Sequence, residues 1–271
     1  MEEAMSPRQA CLQCLQRDPP ALFEAALWIA AEHDAQLQPA RVLDELQGLQ
    51  LQVSAGLPAL PARELAQPLL RRLAELDYQE DDEGMTRPQH ALLHKVLRNR
   101  RGQPLVLALI ALELARRLDI PLQGVNFPGH FLLRVPGADH LLDPCGGRRL
   151  YTRDCRDLLH RQLGPNIELS AAHLQTADAP AMLQRLSRNL RLLHLQHDDA
   201  LAALKDAERV LQLGPPTLVD HLARADVYQQ LECPQGERYD LERALLFCED
   251  EGLRLQLQQR LRGLESAAAL H

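Results

Sequence analysis

The sequence predicts an α+β protein, mostly α, with one small antiparallel sheet followed by a helical tail. Three observations carry this. Leu and Ala dominate while aromatic residues make up only 3%, and runs such as Leu69 to Leu76 and Ala200 to Leu213 place apolar residues at helical spacing. Convincing strand pattern is confined to one region, between Leu122 and Asp143. From about Ala179 the chain reads as helix throughout and partly repeats itself. With 271 residues, 46% of them apolar, it is long enough for one large domain or two ordinary ones around a real core.

In chain order, residues from about Ser6 to Leu51 read as three short helices divided by the breakers Asp18-Pro19-Pro20 and Gln38-Pro39. The second carries Phe23, Leu27 and Trp28 on one face. After the stretch Ser54 to Pro61 a further helix is expected to run to Leu76. The acidic stretch Asp77 to Gly84 reads as a solvated loop or as a charge cluster beside a site. Helical spacing resumes from Pro88 to Arg98. Gly102-Gln103-Pro104 then puts proline close to a helix start, and the residues that follow are apolar on all sides through Leu112, so this helix must be buried centrally, ending near Leu118.

Three strands follow, Leu122 to Phe127, His130 to Val135 and His140 to Asp143, separated by Pro128-Gly129 and by Pro136-Gly137-Ala138-Asp139. The chain returns to helix from Tyr151. In the tail, turns are expected at Gly214-Pro215-Pro216 and at Cys233-Pro234-Gln235-Gly236. A shift of 34 residues pairs Asp206, Glu208, Arg209 and Leu211 with Asp240, Glu242, Arg243 and Leu245, and sets His194 opposite Tyr228. That period is the length of a tetratricopeptide helix pair, about 34 residues, so the tail reads as tetratricopeptide-like. Leu253, Leu257, Leu261 and Leu264 form a stripe expected to close it. The domains are therefore drawn at residues 1–176 and 177–271.

Composition excludes several function classes. A formal net charge of -7, with Lys and Arg scattered, offers no basic face for phosphate contacts, so direct nucleic acid binding is not expected. The apolar run Pro104 to Leu112 is far short of the ~20 residues that span a bilayer, so no membrane insertion is expected. Met1 to Pro7 carries two glutamates and no apolar signal core, which points to the cytoplasm. There, six cysteines are expected to be reduced thiols. Cys11 and Cys14 have the spacing of half a zinc site, but no second pair follows nearby, so they read as helix-borne thiols. No metal and no cofactor is expected.

The chemistry-bearing residues lie on the hairpin. A two-residue turn at Pro136-Gly137 would set His130 opposite Asp143, and a four-residue turn through Asp139 would set Asp143 opposite Leu132. Both registers bring Asp143 to the side of His130. A carboxylate beside an imidazole can fix its tautomer and raise its basicity, as in a Cys-His-Asp or Ser-His-Asp site. A nucleophilic cysteine would be best placed at the start of the buried helix. That position holds Pro104, Leu105 and Val106.

The helix opening at Gly102, its end at Leu118-Asp119-Ile120-Pro121, the strand His130-Phe131-Leu132-Leu133-Arg134 and the following Leu142-Asp143-Pro144 resemble a transglutaminase-like core. More closely, Arg100-Arg101-Gly102-Gln103-Pro104-Leu105, the stretch Gly124 to Phe131, Asp143-Pro144-Cys145-Gly146-Gly147 and the tail resemble the SirB-one family, which joins such a core to tetratricopeptide-like helices. The resemblance covers nearly the whole chain. It implies a papain-like α/β arrangement, with His130 and Asp143 matching the family's His and Asp. It also implies a cysteine opening the helix, which this chain lacks.

Cys145 could replace that cysteine only by attacking from the opposite side of His130. The pair His130 and Asp143 is either a structural hydrogen bond that locks the hairpin or a retained binding feature. Arg134 could hold a carboxylate ligand, with Asp139 across the turn as its competing partner. Asn126 is a candidate binding residue or a cap of the loop before Pro128, and Gly129 and Gly147 read as backbone devices. The expected function is a non-catalytic, regulatory interaction protein with a protein or peptide partner. The alternative is a hydrolase or acyltransferase using Cys145 or a water activated by His130 and Asp143.

Overall fold

The structure, a computed structural model, describes residues 5–80 and 86–268. Part of the acidic stretch, residues 81–84, lies outside the described residues. Twelve α-helices and one four-stranded sheet occur among those described, and they divide into two compact units, residues 1–186 and 187–271. The sequence reading draws its domain boundary at 176, ahead of this division, which falls inside a helix. None of the described helices is long and apolar enough to cross a membrane.

The first unit opens with α1 (Pro7–Leu15), α2 (Leu22–Ala31) and α3 (Pro39–Ser54), bounded by the expected proline breakers. Proline starts α1 and α3 because the first helical position has no N–H to lose. The pair Cys11 and Cys14 lies buried in α1, and burial followed by Glu24 pushes the Cys14 thiol up to about 11. Next come α4 (Ala66–Glu75), a 3-10 turn Pro88–His90 and α5 (Leu93–Asn99).

The helix α6 (Pro104–Arg117) is the centre of this unit. Leu105 to Ala111 are all buried, and α2, α4, α5 and the first two strands pack around them. An all-round apolar helix has no other place to go.

The sheet is an antiparallel meander of β1 (Gln123–Val125), β2 (Leu132–Arg134), β3 (Leu141–Leu142) and β4 (Arg149–Leu150). The strands are shorter than their sequence patterns. The pair Leu133 and Leu142 sets the β2–β3 register, which corresponds to the four-residue turn. Val125, Leu132, Leu141 and Leu150 form one apolar face with Cys155, Leu158 and Leu159 of α7 (Thr152–Leu163). The alternate positions Leu133 and Leu142 are buried on the other face.

The helix α8 (Ala179–Gln196) spans the division between the units. The second unit continues with α9 (Ala200–Leu213), α10 (Leu218–Gln230), α11 (Pro234–Leu246) and α12 (Glu251–Ala268). A shift of 34 carries the last residue of α8, Gln196, onto that of α10, Gln230, and the first of α9, Ala200, onto that of α11, Pro234. The expected turn at Cys233 to Gly236 is instead the N-cap and first residues of α11. Pro234 opens the helix, and Gly236 lies inside it because a Cβ there would stand 2.6 Å from the Tyr228 ring. The α12 stripe Leu253, Leu257, Leu261 and Leu264 packs against Ala225, Leu241 and Ala244, closing this unit.

Candidate functional site

His130 is positioned by a turn and not by a strand. Its N–H donates to the Phe127 carbonyl at 3.1 Å, with Pro128 and then Gly129 at φ +70° between them. This fits a type II turn, which needs a residue tolerant of positive φ at its third position. The Phe127 carbonyl also accepts from Arg185 Nη1 at 2.8 Å, and the Arg185 guanidinium lies 5.8 Å from the Phe131 ring centroid.

Asn126, just before, does not cap this loop. The turn is closed by backbone bonds, Phe127 N–H to the Val125 carbonyl at 2.9 Å among them. The buried Asn126 Oδ1 has no hydrogen-bond partner among the described residues.

Asp143 starts the connection from β3 to β4. Its Oδ1 accepts the Cys145 N–H at 2.8 Å, and its backbone carbonyl accepts the Gly147 N–H at 3.0 Å. An aspartate folding onto the amide two residues ahead is the Asx arrangement of a tight turn. Gly146 and Gly147 follow with φ of +83° and +72°, and Gln67 Nε2 donates to the Gly147 carbonyl at 2.8 Å. Gly147 thus serves this turn through its backbone.

The hairpin register places Asp143 one step beyond the Leu133–Leu142 pair, opposite Leu132. His130 lies ahead of β2, and no hydrogen bond joins its imidazole to Asp143 among the described residues. The two still share an electrostatic field. Partial burial lowers the His130 pKa, Arg161 and Arg185 lower it further, and Asp143 and Glu80 pull the other way. These balances bias the imidazole toward its neutral form.

Cys145 donates its thiol to Glu80 Oε1 at 3.4 Å. Burial, then the negative charges of Glu80 and Asp143, push its pKa far above the usual thiol range. A thiolate is the nucleophilic form, and this surrounding suppresses it.

No hydrogen bond or ion pair joins Arg134 to Asp139 among the described residues. The register sets Arg134 against Leu141, while Asp139, in the turn beyond the strand ends, is bonded to its neighbour His140 through Nδ1 at 2.9 Å. Arg134 and Asp139 both line a small hollow of about 90 Å³, together with Cys155 and Leu174.

The structure thus gathers His130, Asp143, Cys145 and Glu80, with Arg161 and Arg185 beside the imidazole, and leaves Arg134 apart. Glu80, Arg161 and Arg185 are absent from the sequence-derived set. Only the acidic character of the stretch around Glu80 hinted at one of them.

Residues 40–188 match the transglutaminase-like superfamily. The chain belongs to that superfamily. A UPF0162 protein of Pseudomonas aeruginosa is 60% identical over 270 residues, covering 98% of this chain and 100% of that one. A UPF0162 protein of Xylella fastidiosa is 37% identical over 177 residues, 63% of each chain. The protein SirB1 of Salmonella typhimurium is 31% identical over 190 residues, 67% of this chain and 71% of that one. These relatives put the chain in the SirB1 and UPF0162 group of transglutaminase-like proteins, the group its motifs resemble. No solved structure matches it.

Within this transglutaminase-like unit, the N-terminus of α6 holds no nucleophile. Gln103 is its N-cap and Pro104 its first residue, and Leu105 and Val106 are 2% and 0% exposed.

Proposed function

We propose that this transglutaminase-like protein is non-catalytic and acts as a regulatory protein or peptide interaction module through the surface around His130. The start of α6 carries the reading: Pro104, Leu105 and Val106 stand where the resemblance implies a nucleophilic cysteine. Cys145 is held protonated beside Glu80, which argues against it as a substitute. The absent bond between His130 and Asp143 argues against an oriented catalytic imidazole. On this reading His130, Asp143 and Asn126 are binding features, and Arg134 contributes only where a ligand reaches its separate hollow.

The repeat spacing of α8 to α11 supports a tetratricopeptide-like tail, residues 177–271, offering a recognition surface in addition to that of the transglutaminase-like part, residues 1–176. We place the protein in the cytoplasm, which suits its six free cysteines.

A second reading, a hydrolase or acyltransferase acting through a water on His130 or through Cys145, is favoured by one feature. His130, biased toward its neutral form by burial and by Arg161, can accept a proton.

Selection of displayed random peptides on the intact protein separates the two. Selected peptides should bind about tenfold more weakly to His130→Ala and should be recovered intact after long incubation. Cleaved or acylated peptide would establish the second reading. Peptides indifferent to His130→Ala would remove the surface from the first.

A further inference from the structure

We propose that a cleft along the C-terminal half of α6 is a binding site for a small anionic amphiphile, an alkyl or aryl chain ending in a carboxylate. It is independent of the reading of His130, which does not line it.

The cleft has two parts of opposite character. One, about 430 Å³, is walled by Phe23, Leu109, Leu112, Leu122, Gly124 and Met182. The other, about 330 Å³, is walled by Arg17, Glu24, Arg116 and Arg117 among others. Pro20, Phe23, Glu113 and Arg116 line both, so the parts adjoin. Apolar walls with a few convergent polar groups, at volumes in this range, are the usual form of a small-molecule site.

The hydrogen bonds leave donors that a ligand's acceptor could meet. Glu113 Oε1 accepts from Arg117 Nε at 2.7 Å and from Arg116 Nη2 at 2.8 Å, and Oε2 accepts from Arg116 Nε at 2.9 Å. These bonds engage one side of each guanidinium. Both terminal nitrogens of Arg117 and Nη1 of Arg116 have no acceptor among the described residues.

Arg117 is not a free surface cation, since its side chain is only 20% exposed and that of Glu113 10%. Two guanidiniums share one carboxylate, while Arg17 and Glu24 are bonded to each other. Asp178 lines only the apolar part, and its carboxylate is engaged by the Ala181 N–H at the start of α8. The unmet guanidinium donors belong to Arg117, which lines only the arginine part, and to Arg116, which lines both. A single carboxylate there would accept from the recessed Arg117 in the planar geometry that guanidinium favours, with its chain lying against Leu112 and Met182.

The test uses the fluorescent fatty acid dansylamino-undecanoate on the intact protein, displaced by decanoate or by decanol. Saturable binding is expected, with decanoate displacing the probe at concentrations at least about tenfold below those of decanol. Arg117→Gln should bring the two competitors together, and Leu112→Trp, which fills the apolar part, should weaken both. Arg116→Gln, at a side chain 61% exposed, should narrow the gap and keeps the test open if Arg117→Gln unfolds. His130→Ala should change nothing. Equal displacement by the two competitors, absence of saturable binding, or full binding by Leu112→Trp would each overturn the site. Loss of binding in His130→Ala would move the ligand to the other surface.

Discussion

Asp240 on α11 is fully buried and holds three charged hydrogen bonds at once. His221 Nδ1 lies 2.8 Å from Oδ1, and Arg224 donates through Nε at 2.7 Å to Oδ2 and through Nη2 at 2.9 Å to Oδ1. Replacing it by alanine removes the acceptor and leaves a bidentate guanidinium and an imidazole facing a small void. Removing one partner of a buried ion pair costs about 3–5 kcal/mol, because the other charge stays desolvated. Arg224 keeps 15% of its side chain exposed and can recover some hydration, so Asp240→Ala should cost about 3 kcal/mol, the lower end of that range.

The measurement is amide exchange of α10 and α11 in the intact protein, which reads the local opening free energy of the second unit. Most of the loss should be the stranded charge, so adding Arg224→Met to Asp240→Ala should restore more than half of it. The equivalent substitution at Asp206, 34 residues earlier, should cost at least as much, since Arg209 beside it is 0% exposed. A cost below about 1 kcal/mol for Asp240→Ala, or a double variant no better than the single one, would refute the reasoning.

Three further outcomes follow from the first unit. Mass-spectrometric mapping of alkylation at neutral pH should find Cys145 at least about tenfold slower than the partly exposed Cys233, because the thiolate is the reacting form, and Glu80→Gln should speed it. NMR titration of the His130 ring should give a pKa below the usual ~6.5, shifted upward by Arg161→Gln, which removes a repelling cation, and further downward by Asp143→Asn, which removes a stabilising anion. Gly147→Ala puts a Cβ 3.0 Å from Leu70 Cβ and 3.2 Å from the Gln67 carbonyl, at φ +72°. It should lower stability by about 1–3 kcal/mol, whereas Gly137→Ala, at φ +84° with nothing within 4 Å, should cost about 1 kcal/mol from the backbone alone; equal losses in thermal melts would show that the contact is not felt.

The helices were legible in the sequence because their signals are local. Proline at the first position and an apolar face do not depend on what the chain meets elsewhere, and α1, α2, α3 and α6 begin at or just after their prolines, whereas α4 and α5 start later, after 3-10 turns. The central place of α6 followed from its lack of a polar side. The strand β4 was missed because Arg149–Leu150 is two residues long, too short for alternation to register. The stretch Cys233 to Gly236 reads as a turn in the sequence because the reason for Gly236, the Tyr228 ring, lies on another helix.

The site shows the same division at finer scale. Alternation leaves two registers open, both of which put Asp143 on the side of His130, and the observed β2–β3 pairing is the one with the four-residue turn, which sets Asp143 opposite Leu132. It says nothing about His130 once the ladder ends, and β2 begins two residues later, at Leu132. The Pro128-Gly129 turn then sets the imidazole, and its field is completed by Glu80, Arg161 and Arg185, each brought from a distant segment by the packing of the core. A face-sharing argument therefore carries a carboxylate and an imidazole into one neighbourhood, but only the turn geometry decides whether they bond. Here it keeps them apart, and the electrostatic balance at His130 is set by residues that no spacing rule connects to it.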